Sequence, residues 1–148
     1  MGRLRWLLLS AGCLACLAGC ALPGPQPRAE RAQRLAAASG WTPLRLPASG
    51  FELQAYLSPG AGAAAHDNTL TIYVEGDGLV AVAPHVPALD PTPLDPLALR
   101  LALADGGTRV AYLGRPCQYL AGQPPGPCRT AHWTDRRFAP ELVSAVGQ

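Results

Sequence analysis

Five cysteines, three histidines, ten acids and a few serines are the residues of this 148-residue chain able to bond covalently, bind a metal or move a proton. Cys13 and Cys16 lie inside an apolar run and Cys20 closes it, so only Cys117 and Cys128 belong to the body. Two thiols are too few for a thiolate metal site, and neither a metal nor a cofactor is expected. With ten residues between them, Cys117 and Cys128 read most simply as a disulfide in an oxidising compartment, free thiols being the alternative. Closing such a loop stabilises a fold by about 2–3 kcal/mol on the chain-entropy account. Glu75-Gly76-Asp77-Gly78 places two acids near each other in a glycine-rich turn, where the backbone can follow a tight path. Paired carboxylates are one reading of Glu75 and Asp77; solvated turn acids are the ordinary one. Ser39, Ser49, Ser58 and Ser144 each lack glycines on both sides, and G-x-S-x-G occurs nowhere. All twelve basic residues are arginine, which excludes a Walker-type phosphate lysine and Schiff-base chemistry.

The N-terminus carries an address. Arg3 and Arg5 precede an apolar run over residues 6–17 that is broken only by Ser10, the layout of a secretory signal. The run is too short for a confident membrane span. It ends in Leu17-Ala18-Gly19-Cys20, which resembles the lipobox of bacterial lipoproteins. The resemblance implies cleavage after residue 19, diacylglycerol on the Cys20 thiol and acylation of its new amine. Several chains at about 0.8 kcal/mol per buried methylene anchor a protein stably. Ala21, rather than Asp, points to the outer membrane facing the periplasm by resemblance to enterobacterial lipoproteins. Losing Arg3 and Arg5 leaves ten arginines against ten acids, so the precursor's net +2 disappears. A neutral body argues against a nucleic-acid partner, and the membrane partner is reached through lipid.

The elements that must position the body residues follow from pattern. Pro23, Gly24, Pro25 and Pro27 form a stiff spacer. Residues 28–38 have helical propensity but few large apolar side chains, so within residues 20–40 they read as a tether or a loosely packed helix rather than part of the core. Phe51–Leu57 alternates as a half-buried strand with Phe51, Leu53, Ala55 and Leu57 on one side. Residues 70–74 (L-T-I-Y-V) suit a central strand. A proline-rich stretch over 84–93 is too broken for regular structure. Asp95 as N-cap and Pro96 in the first turn open a helix over Leu97–Ala104 that Gly106 and Gly107 stop. Residues 109–113 (R-V-A-Y-L) form another strand, and strand–helix–strand order predicts parallel pairing through a right-handed crossover. A long loop over 114–137 follows, then a helix at Pro140–Val146. The fold class is α/β.

Several spaced motifs match a known pattern in order: Tyr73-Val74-Glu75-Gly76-Asp77-Gly78, Asp90-Pro91-Thr92-Pro93, the run from Tyr112 through Gly114, Arg115, Cys117 and Gln118 to Tyr119, then Cys128 and Trp133-Thr134-Asp135-Arg136-Arg137-Phe138. Together they resemble bacterial α/β-hydrolase-fold proteins, often lipoproteins, over roughly residue 51 to the C-terminus. The resemblance implies that residues 41–148 are the N-terminal part of an α/β-hydrolase-like sheet. It also implies that the loop after the third strand supplies an oxyanion-hole amide, with Asp77, Gly78 and Leu79 the backbone candidates. A tight strand exit is the plainer reading of the same glycines. The nucleophile elbow, acid and histidine of such a triad come later in a hydrolase chain. His66, His85 and His132 precede that place, and His132 beside Trp133 reads as loop packing. The expectation is a truncated, inactive portion of a lipid-anchored serine hydrolase for an ester or amide. The alternative is a small self-sufficient lipoprotein that binds a partner in the periplasm.

Overall fold

The computed structural model describes residues 22–63, 69–121 and 126–147. The signal segment, Cys20 and His66 lie outside the described residues. In chain order the elements are α1 (Pro25–Ala38), β1 (Thr42–Ala48), β2 (Phe51–Leu57), β3 (Thr71–Val74), β4 (Ala81–Ala83), β5 (Val86–Pro87), α2 (Leu97–Ala104), β6 (Val110–Leu113) and α3 (Pro140–Val146). A 3₁₀ turn at Thr130–Trp133 precedes α3.

Four strands form one mixed sheet in the order β1-β2-β6-β3. β1 and β2 are an antiparallel hairpin with Ala48 opposite Phe51. Ser49 and Gly50 between them both have positive φ, 48° and 84°, the backbone of a type I′ turn. β1 is not among the strands expected from the sequence, and it carries Pro43 and Pro47, which disfavour a strand. At the sheet's edge those prolines are tolerated. β6 pairs antiparallel with β2 and parallel with β3, in register Ile72 to Ala111 and Val74 to Leu113. The expected parallel pair across a crossover helix is thus present.

Two expectations for the strands change. β2 is not half-buried: Gln54 and Tyr56 are as enclosed as Leu53 and Ala55, because both sheet faces are covered there. β3 has the sequence of a central strand but lies at the edge, with Ile72 and Val74 exposed. Its neighbour on one side is β6; among the described residues no strand pairs with the other.

The two faces are separate cores. On one, Tyr56, Val110 and Tyr112 meet Ala32 and Ala36 of α1 and Leu99 and Ala102 of α2. On the other, Phe51 and Leu53 meet Trp133, Leu142, Ala145 and Cys117. The stretch expected as a tether or a loosely packed helix is therefore corrected over Pro25–Ala38, which is a helix built into a core. Arg28, Ala32 and Ala36 recur every four residues, and this narrow stripe is buried. Small side chains let the helix approach closely, and the one large member, Arg28, bonds polar backbone. A search for large apolar residues misses such a helix.

The start of α2 also departs from expectation. Pro96 occupies the cap position without a side-chain cap bond, and Asp95 instead pairs with Arg31 and Arg100 at 3.0 and 2.7 Å. The proline-rich stretch does contain a short strand, β5, which pairs with β4 just before the stretch in a small hairpin.

Candidate functional site

β3 runs directly into residues 75–79, and backbone and side-chain groups from other segments hold that loop. The Glu75 amide extends the ladder by donating to the Leu113 carbonyl at 2.9 Å. Its carboxylate is buried and accepts from three donors: the Gly76 amide at 3.0 Å, the Ala98 amide at 3.3 Å and the Tyr112 hydroxyl at 3.0 Å. The bond to Ala98 satisfies one of the free amides at the start of α2, the role expected of Asp95. Glu75 is thus a structural acceptor, which removes it from any solvated or paired-carboxylate reading.

Behind Glu75 stand three buried tyrosines. The Tyr112 and Tyr119 hydroxyls lie 2.8 Å apart, and Tyr56 stacks on Tyr112 with ring centroids separated by 5.8 Å. Burial, and then the neighbouring Tyr119 and Glu75, push the Tyr112 phenol far above its ordinary value. Burial raises Tyr119 as well, and lifts Tyr56 to about 12 against a smaller opposing effect of Arg45. These phenols stay protonated as hydrogen-bonding groups through the physiological range.

The second half of the loop is braced from the segment after β6. Buried Gln118 donates to the Gly76 carbonyl at 2.9 Å and accepts from the Arg115 amide at 3.0 Å. Arg115 also bonds the Asp77 carboxylate, and Arg137 Nε lies 3.3 Å from Asp77 Oδ2. Arg115 then donates to the Arg137 carbonyl at 2.6 Å, so Asp77 ties two distant loops together. Gly78 has φ +70°, and a Cβ there would come within 1.9 Å of the Pro91 carbonyl oxygen. Glycine is required at 78 for both reasons.

The three backbone candidates now separate. The Leu79 amide donates to the Pro91 carbonyl at 3.0 Å and is occupied. The amides of Asp77 and Gly78 have no acceptor among the described residues. They belong to a loop that borders an open groove of about 350 Å³ lined by Glu75, Gly76, Gly78, Leu79, Pro93 and Leu94. Unbonded amides at the carboxyl end of a strand can stabilise negative charge developing on an oxygen.

No nucleophile accompanies them among the described residues. Ser58 is spent on Thr108 and Val110, at 3.0 and 3.1 Å, and Ser49 faces Ser144 at 3.1 Å. The His132 ring packs edge-on against Phe51, accepts from the Arg129 amide and lies 4.0 Å from the Cys117 sulfur, a loop-packing histidine. His85 is at the exposed turn between β4 and β5. Cys117 and Cys128 are joined, with their Cα atoms 5.6 Å apart. Among the described residues no group of three or more His, Cys, Asp or Glu side chains could hold a metal ion. No described helix is long and apolar enough to cross a membrane.

Sequence reasoning missed Arg28, Thr92 and Gln118. Arg28 bonds the Thr92 carbonyl and pairs with Asp90 at 3.4 Å, while the Thr92 hydroxyl accepts from the Tyr119 amide at 2.7 Å. The Asp90-Pro91-Thr92-Pro93 and Cys117-Gln118-Tyr119 strings flagged two of these places without a role for either.

Protein-family models, curated proteins and solved structures give no match to this chain.

Proposed function

We propose that this chain is a lipid-anchored protein of the bacterial envelope whose body is the first portion of an α/β-hydrolase-like serine hydrolase for an ester or amide. The observation that carries the reading is the loop after β3. β3 is the third strand in chain order, and its exit loop is held by Glu75, Asp77, Gln118 and Gly78 while the Asp77 and Gly78 amides have no acceptor among the described residues. That is the position from which such a fold supplies an oxyanion-hole amide. The open edge of β3 supports the same reading. A parallel strand added there would bring its carboxyl end beside residues 75–79, where a strand-to-helix turn could present a nucleophile.

With no G-x-S-x-G in its 148 residues, this chain by itself hydrolyses nothing on this reading. The test is the nucleotide sequence following codon 148. In some frame it encodes G-x-S-x-G, then an acid and a histidine, and the joined chain labels with a fluorophosphonate while the 148-residue chain does not. Absence of that sequence within a few hundred bases ends the proposal. The alternative, a binding module in the periplasm, draws on the two packed cores and the disulfide. It predicts cooperative unfolding of this chain and an unchanged fold on extension.

A further inference from the structure

The docking of α1 changes where the body can sit relative to its lipid. A tether over residues 20–40 would let the domain range roughly 70 Å from Cys20 at about 3.5 Å per residue. Because the helix begins at Pro25 and is built into a core, only the segment up to Gly24 can pay out, about 14 Å at full extension. Arg28 then fixes which surface is close. Its Nε bonds the Gly24 carbonyl at 3.1 Å, and its other nitrogens bond the Asp90 and Thr92 carbonyls. Gly24 and Asp90 are thus held by one guanidinium.

Beside Asp90 is Leu89, 96% exposed, and before it stands the β4–β5 hairpin with Val82 and Val86 exposed. From Gly78 to Leu89 there is no acid and no arginine; His85 is the one titratable side chain. Asp90 itself is neutralised by Arg28. An uncharged, apolar protrusion in water marks a surface with a partner. Trp133 holds its base by donating to the Ala88 carbonyl at 3.0 Å, so the protrusion is fixed to the body.

We infer that Leu89 and the β4–β5 hairpin dock into the interfacial region of the bilayer that carries Cys20. The inference rests on the lipid-anchor reading. A short leash raises the effective concentration of the hairpin at the surface, so even weak apolar insertion is populated. The contact is apolar and therefore insensitive to salt and to anionic lipid.

The experiment uses full-length protein processed in a lipoprotein-exporting bacterium, with Leu89→Trp introduced, placed in phosphatidylcholine vesicles bearing brominated acyl chains. Mass spectrometry of its N-terminus reads the acyl groups independently. Trp41 and Trp133 are buried and give a weakly quenched background. Insertion to the acyl boundary is expected to quench the Leu89→Trp variant roughly twofold more than the parent, equally at low and high salt. Adding Val82→Glu should reverse that gain. An acylated protein whose Leu89→Trp emission is quenched no more than the parent's overturns the docking and leaves the anchor standing. A protein without acyl groups on Cys20 overturns the anchor reading, and the docking with it.

Discussion

The two faces of the sheet are closed by different means. On the face of α1 and α2 the cover is partly polar. Tyr112, Tyr119 and Glu75 satisfy one another, and Arg28 bonds Asp90 and Thr92 from inside the fold. On the face of α3 the cover is apolar, stapled by Cys117–Cys128, and incomplete. Ile72, Val74, Phe138 and Val143 remain exposed, and Val74 borders a groove of about 450 Å³ with Leu142 and Val146. A polar network demands that every member be present, whereas an apolar face tolerates being left open at a cost in solubility. The sheet's edges repeat the contrast. β1 carries Pro43 and Pro47, which discourage further pairing, while β3 carries no such guard.

The contrast can be broken most sharply at Arg28. Arg28→Met removes one partner of a buried pair and should cost about 3–5 kcal/mol in denaturant unfolding. A loss below about 1 kcal/mol would show that α1 is not pinned by this side chain. Next is the staple on the other face: reducing Cys117–Cys128 should lower stability by about 2–3 kcal/mol. Equal melts with and without reductant would mean the bond does not form.

Alkali separates the faces by titration. Tyr56, Tyr112 and Tyr119 have folded values raised above the ordinary 10, so their contribution is full below pH 10 and is lost as pH rises through the folded values. For Tyr56 that window runs from pH 10 to about 12. Each tyrosine protonated in the fold and ionised in the unfolded chain costs about 1.4 kcal/mol per pH unit. A stability that stays flat above pH 10 would contradict the sealed network. The smallest effect belongs to the open edge: Ile72→Glu should change stability by no more than about 0.5 kcal/mol. It should nonetheless reduce binding of an apolar dye; a large destabilisation would mean that β3 is covered.

Much of the frame was legible. The alternation in Phe51–Leu57, the β-branched run at 70–74 and the alanine- and leucine-rich helix over Leu97–Ala104 each carry a local signal. What failed had no local signal, or a misleading one. Arg28 looks like surface charge until Asp90 and Thr92 arrive from 62 and 64 residues away. Pro43 and Pro47 disguise β1, whose edge position alone makes them harmless. Glu75 looks like a turn acid, but its role as acceptor for the Ala98 amide and the Tyr112 hydroxyl exists only after α2 and β6 pack against β3. At the candidate site, sequence marked the stretch 75–79. Only the fold showed that Leu79's amide is spent while those of Asp77 and Gly78 have no acceptor among the described residues.

By itself, then, the sequence determined β2, β3, β6, the helices at Leu97–Ala104 and Pro140–Val146, the cysteine pair and the glycine-rich strand exit, because propensity, spacing and turn chemistry act over a few residues. Tertiary structure decided the strand order, the burial of α1 and the partners of Glu75 and Asp77, because those depend on groups brought together from distant segments. The same long-range packing built Pro25–Ala38 into a core that its few large apolar side chains did not announce.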